Sequence, residues 1–198
     1  MTQAVRKLRS LFLLVLMTGI ASLPASAEFY AGDKNSKDPN RAVYLAFVLE
    51  FEPIAKMFGC RFAWGNANDR SSVQLEFVPQ GDDVRAWTRL LTITTVALPP
   101  REAENLTVVK RVQAIMMNNY TQRGRVIETK SGTDAKGVPT LFVEYEIGDG
   151  AAKEHNAAAI MKLRADLAGI VQIQSRGKPL ARVDAAKMKA LAISNTKN

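Results

Sequence analysis

The chain has 198 residues, with 27 Lys and Arg against 19 Asp and Glu, and a formal net charge of +8. Three of the positive charges, Arg6, Lys7 and Arg9, lie within residues 1–27, so the rest of the chain carries +5. This excess is modest and scattered, and no stacking aromatics or known module accompany it, which argues against nucleic-acid binding. Cys60 is the one cysteine in the sequence, so no internal disulfide forms, and we expect its thiol to be buried.

Residues 1–27 are predicted to be a cleavable secretory signal. The three basic residues precede an apolar run over residues 11–20, and Pro24 comes just before the small residues 25–27. The apolar run is about half the roughly 20 residues that a membrane-spanning helix needs, which favours cleavage over an uncleaved anchor. We therefore predict cleavage after Ala27, a flexible leader over residues 28–40, and a periplasmic or secreted product with no transmembrane segment in the mature chain.

The predicted domain covers residues 41–198 and begins with an element of mixed character. Apolar residues over 43–51 fit both helical spacing and the alternation of a strand, and the preceding Asp38-Pro39 is typical of a helix start. Pro53 is expected to end or kink this element. Residues 64–71 are rich in Asn, Asp, Gly and Ser, which predicts a loop.

The pattern is clearer beyond residue 72. Apolar residues over 108–120 fall on one helical face and predict a long helix over residues 101–122, and Asp184 is the predicted N-cap of a terminal helix. Alternating apolar and polar residues predict strands over residues 73–77, 87–98, 125–130, 141–147, 157–164 and 171–174. The sequence therefore predicts a single α+β domain, an antiparallel sheet of about six strands flanked by helices.

The order of these elements, two strands, a long helix, four strands and a final helix, resembles the PsbP-like fold. The resemblance covers residues 72–193 and is one of topology, without a signature motif. Members of that fold class are mostly small binding or assembly factors, so the resemblance implies an accessory role by analogy of fold.

Residue types that support catalysis or metal binding are scarce. His155 is the single histidine, in a polar segment that indicates an exposed loop, and no Gly-x-Ser-x-Gly motif supplies a nucleophile for it. No paired metal-ligand spacing is present, so we expect neither a metal nor a cofactor. Met116 and Met117 are consecutive on the predicted helix, where they point about 100° apart, and Met116 belongs to the apolar stripe of that helix.

Polar and aromatic residues on the predicted strands and nearby loops are the candidates for binding. Glu144 and Glu146 share one strand face, as the paired carboxylates of a glycosidase would, and an ordinary exposed face gives the same spacing. The two tryptophans would line a pocket if the protein carries a small ligand. The candidate binding residues are Trp64, Trp87, Glu144, Glu146, Lys162, Arg164, Gln172 and Gln174.

Three hypotheses of function follow from these patterns. The first is an exported, non-enzymatic binding or accessory domain that acts through a sheet face and nearby loops, with another envelope protein as its partner. The second is a carboxylate-based hydrolase that uses Glu144 or Glu146. The third is a carrier of a small ligand.

Overall fold

The computed structural model describes residues 28–30, 41–69, 72–100, 102–134 and 136–193. The predicted signal and most of the predicted leader lie outside these residues, although Glu28–Tyr30 form a short strand. The helices are α1 (Arg41–Met57), α2 (Glu102–Arg123) and α3 (Arg182–Ile193). The strands are β1 (Glu28–Tyr30), β2 (Cys60–Asp69), β3 (Ser72–Pro79), β4 (Arg89–Ala97), β5 (Gly124–Thr133), β6 (Pro139–Ile147), β7 (Glu154–Arg164) and β8 (Leu167–Arg176).

All eight strands form one antiparallel sheet in the order β1-β2-β3-β4-β8-β7-β6-β5. The predicted α+β class is confirmed, and the strand count exceeds the expected six because β1 and β2 were not anticipated. The chain makes two antiparallel runs, β1 to β4 and β5 to β8, and α2 connects them. The junction of the two runs is β4 beside β8, which brings residues about 80 positions apart in sequence into one sheet.

Helices cover both faces of the sheet, and this explains why the central strands are apolar on both sides. Adjacent residues of β6 show the arrangement, because Phe142 packs beneath α1 and α3 whereas Val143 packs beneath α2. Helix α1 lies against β2, α3 against β6 and β7, and α2 against β5, β6 and β7. On the α2 side, Val96 of β4 and Ala168 and Ile170 of β8 still pack with α2, whereas β3 and the remainder of β4 and β8 lie beyond the helix.

The first helix runs past the proline that was expected to end it. Pro53 lies inside α1, and the helix continues to Met57. The chain then turns at Gly59, whose φ of 66° is the left-handed conformation that commonly follows a helix. The backbone amide of Gly59 donates to the carbonyl of Lys56 at 2.9 Å. The stop signal is therefore the glycine, and Pro53, which was expected to end or kink the element, does not end it.

The loop predicted over residues 64–71 was also wrong, because most of it belongs to β2. This strand pairs with β3 from Cys60 to Asp69, with register shifts after Phe62 and after Ala67. Asn and Asp favour turns in isolation, yet pairing with β3 satisfies the backbone of this segment and overrides that preference.

Candidate functional site

A groove of about 660 Å³ lies between α2 and the neighbouring sheet face that no helix covers. We call it the α2 groove. Strands β3, β4 and β8 form its floor, α2 forms one wall, and the segment between β6 and β7 closes one end. Its lining residues are Gln74, Glu76, Trp87, Leu90, Thr92, Thr94, Met116, Asn119, Tyr120, Arg123, Tyr145, Ile147, Gly148, Ala152, Glu154, Ile170, Gln172, Gln174 and Arg176.

The floor of the α2 groove is a grid of polar side chains held by cross-strand pairing. Thr92 of β4 lies opposite Gln172 of β8 and opposite Glu76 of β3. Gln174 Nε2 donates to Thr92 Oγ1 at 2.9 Å, and Gln172 Nε2 donates to Asn156 Oδ1 at 3.3 Å. Each glutamine thus uses one amide hydrogen within the protein and keeps further hydrogen-bonding capacity for a ligand.

The wall of the groove is a helical stripe. Met116, Asn119, Tyr120 and Arg123 are spaced i, i+3, i+4 and i+7 along α2, so they lie on one face of the helix. The Tyr120 ring stacks on Tyr145 of β6 with centroids 3.9 Å apart. Tyr120 is buried together with its hydroxyl, and this burial raises its pKa.

A cation held on an aromatic ring stands at one end of the groove. The Arg176 guanidinium carbon lies 4.0 Å from the centroid of the Trp87 ring, within the range of a cation–π interaction. Arg176 Nη2 also donates to Glu154 Oε1 at 3.0 Å. These two contacts fix the guanidinium, and they fix one face of Trp87 as well.

The groove gathers three of the eight candidate binding residues, namely Trp87, Gln172 and Gln174. Trp64 lies on the same sheet face one strand beyond, since its cross-strand partner is Glu76, which lines the groove. These aromatic and amide side chains therefore belong to one continuous face.

The candidate residues Lys162 and Arg164 both belong to β7, and a bulge separates them. The register of β7 against β8 shifts between these two residues. Lys162 is paired with Ala168, which packs beneath α2, whereas Arg164 is paired with Leu167, which packs on the α1 side. Arg164 there forms ion pairs with Glu50 of α1 at 2.6 Å and with its neighbour Asp166. The inserted residue has moved Arg164 to the opposite face.

Glu144 and Glu146 lie on the face opposite the groove, and Glu146 is enclosed by cations. Its carboxylate contacts Arg125 at 2.8 Å, Lys153 at 2.9 Å and His155 Nδ1 at 3.0 Å. Hydrogen bonds from Lys153 and Arg125 lower the pKa of Glu146 to about 2. Glu146 therefore lacks the raised pKa that the general acid of a hydrolytic carboxylate pair requires.

The exposed loop expected for His155 was wrong, because the residue lies in β7 and its side chain is only 17% exposed. His155 is flanked across the sheet by Glu146 and by Ser175. This order resembles a serine triad in layout, but Ser175 is buried and makes no hydrogen bond to His155 among the described contacts. The histidine thus belongs to the ion-pair cluster around Glu146.

Two features away from the groove are structural. Cys60 is buried and unpaired, as expected, and burial raises the pKa of its thiol.

Asp184 lies within the first turn of α3, which begins at Arg182, so its predicted N-cap role was wrong. Its carboxylate instead accepts two hydrogen bonds from Arg89 of β4, at 2.7 and 2.9 Å.

The residues that the sequence analysis missed are those on α2. Tyr120 was assigned to the core stripe, and Arg123 was regarded as ordinary surface charge. The spacing from Met116 to Arg123 could have indicated the site, because it places an amide, a hydroxyl and a cation beside an apolar residue on one helix face. The spacing indicates a binding site only once the fold shows that the strands facing this side of the helix are not covered by another helix.

No protein-family model matches this sequence, and no curated protein matches it either. Within the described residues, no group of three or more His, Cys, Asp or Glu side chains is placed to hold a metal ion. None of the three described helices has both the length and the apolar character needed to cross a bilayer.

Proposed function

We propose that this protein is an exported, non-enzymatic binding or accessory domain whose ligand occupies the α2 groove. The observation that carries the proposal is the groove itself, an open cleft in which a polar sheet floor meets a helical wall bearing aromatic, amide and cationic groups. Its volume of about 660 Å³ falls in the range of roughly 300–1,000 Å³ that is typical of ligand sites.

The contacts within the floor support a preformed site. Gln172 and Gln174 are oriented by hydrogen bonds to Asn156 and Thr92. Ordered side chains lose little conformational entropy when a ligand binds, which favours affinity. The groove would therefore accept a ligand without rearrangement of its floor.

The chemistry outside the groove supports binding over hydrolysis. A carboxylate that acts as a general acid needs a raised pKa, and the surrounding cations lower that of Glu146. Glu146 is instead suited to joining β5, β6 and the start of β7 through its ion pairs with Arg125 and Lys153. Export, inferred from residues 1–27, makes another envelope protein or an envelope molecule the expected source of the ligand.

Site-specific photo-crosslinking tests the proposal. Asn119 lines the groove and the neighbouring Asn118 is exposed on α2, so replacing each in turn with benzoylphenylalanine gives a matched pair of probes. We expect an adduct in envelope extracts from position 119 and none from position 118. A second variant, Thr92→Trp, fills the floor and should abolish the adduct. Its control is Thr129→Trp on the exposed strand β5, which should not.

Equal capture from both positions, or capture from position 119 that survives Thr92→Trp, would place binding outside the groove. Thermal unfolding of each variant shows whether it is folded, so that loss of capture is not mistaken for loss of structure.

A further inference from the structure

The polarity of the α2 groove changes along its length. Met116 and Ile170 lie in the apolar cluster beneath the middle of α2. Arg123 is the last residue of the helix and lines the groove together with Ile147, Glu154 and Arg176. Seven residues of helix separate Met116 from Arg123, a distance of about 10 Å at 1.5 Å per residue. The helical wall is thus apolar at Met116 and cationic at Arg123, and the distance between the two is comparable to the length of a small molecule.

The cationic end carries a net positive charge. Arg123 and Arg176 line it together with Glu154. Glu154 is already paired with Arg176 at 3.0 Å, whereas Arg123 is exposed and has no ion pair among the described contacts. The remaining lining carboxylate, Glu76, belongs to β3 on the far side of the floor, with β4 and β8 between it and β7. An anionic group would therefore be favoured at Arg123.

We propose that the α2 groove takes a small amphipathic anion, with an apolar body of about 10 Å against Met116 and Ile170 and a carboxylate-type or sulfonate-type head at Arg123. This inference rests on the proposed function, since it assigns the chemical class of the ligand to the same groove.

A pair of fluorescent probes with one aromatic framework tests the charge preference. Anilinonaphthalene sulfonate carries an anionic head, and phenylnaphthylamine lacks it. We expect the sulfonate probe to bind the full chain more tightly than the neutral probe. Arg123→Gln should weaken the sulfonate probe about fivefold, as expected for an exposed charge contact, and leave the neutral probe unchanged. Lys110→Gln removes an exposed cation from the same helix outside the groove and should change neither.

Two outcomes would overturn the inference in distinguishable ways. If both probes bind equally and are displaced by Thr92→Trp, while Arg123→Gln has no effect, the groove binds ligands without selecting an anion. If Thr92→Trp affects neither probe, or neither binds, the groove is not the site, and the proposed function fails with the inference.

Discussion

The guanidinium of Arg176 lies on the face of the Trp87 ring, 4.0 Å from its centroid, at one end of the α2 groove. The contact joins the end of β8 to the segment that precedes β4, and the ion pair with Glu154 extends it to β7. Because the ring and the cation hold each other in place, a ligand that enters this end must either stack beside them or displace one of them.

Removing this cation should change the environment of Trp87. In a Trp64→Phe background, where Trp87 is the single remaining tryptophan, Arg176→Gln exposes the ring to water and should shift its emission to longer wavelength. Loss of the cation–π contact and the exposed ion pair should cost about 1 kcal/mol in the free energy of unfolding. Lys178→Gln, an exposed cation two residues further along, should leave emission unchanged. Identical spectra for the two variants would contradict the contact.

The Arg89–Asp184 ion pair should be the strongest single tie between the sheet and α3. Asp184 is 4% exposed and accepts two hydrogen bonds from Arg89. Arg89→Met leaves a buried carboxylate unpaired and should lower the free energy of urea unfolding by about 3 kcal/mol. Arg85→Met breaks an ion pair with Asp83 in which both side chains are over half exposed, and should lower the free energy of unfolding far less. Similar decreases in the free energy of unfolding for both variants would contradict the dominant role of the Arg89–Asp184 pair.

Glu146 should make stability depend on pH in the acid range. Its pKa is depressed from an ordinary 4.5 to about 2, so its contribution is present above about pH 4.5 and is lost as the pH falls towards 2. Glu146→Gln should therefore be less stable than the natural chain at neutral pH, by about 1 kcal/mol, and the difference should vanish in strong acid. Glu144→Gln, on the same strand face, should stay within about 0.5 kcal/mol of the natural chain throughout.

A difference between the Glu146 variant and the natural chain that persists unchanged to pH 2 would show that packing, and not charge, is the cause. Chemical unfolding at a series of pH values measures both curves directly.

Cys60 should resist thiol reagents while the protein is folded. Burial both blocks access and raises the thiol pKa, which lowers the fraction of reactive thiolate. We expect iodoacetamide to modify Cys60 rapidly in urea and only slowly under native conditions. The double variant Cys60→Ala/Ser131→Cys puts the thiol on exposed strand β5 and should react rapidly in both. Fast native modification of Cys60 would show that the α1–β2 corner opens readily.

The sequence predicted the helices and strands whose residue pattern can be recognised within a short stretch of the chain. Alternation identified β3, β4 and β6, and the apolar stripe identified α2 to within about one residue at each end. Beyond residue 72 the predicted order of strands and helices is the one observed. Strand β2 was missed because its Asn, Asp and Gly residues favour turns, and only pairing with β3 overrides them.

The candidate site could not be predicted in the same way, because it depends on which elements pack together in the fold. Gln172 and Gln174 were expected to face outward, and Trp87 was named as a possible pocket residue. Their meeting with Tyr120 and Arg123 follows from the position of α2 over β5 to β7, which leaves the adjoining face open. The bulge after Lys162, which turns Arg164 to the other face, has no signature in the alternation of residue types.

Methyl NMR during a titration with anilinonaphthalene sulfonate tests the central claim most directly. Met116 lines the α2 groove, whereas Met188 is a fully buried residue of α3 on the other side of the sheet, so the two methyl groups report on opposite faces. If the groove is the binding site, the Met116 resonance shifts with probe concentration and that of Met188 does not. A saturable shift at Met188 with none at Met116 would contradict it.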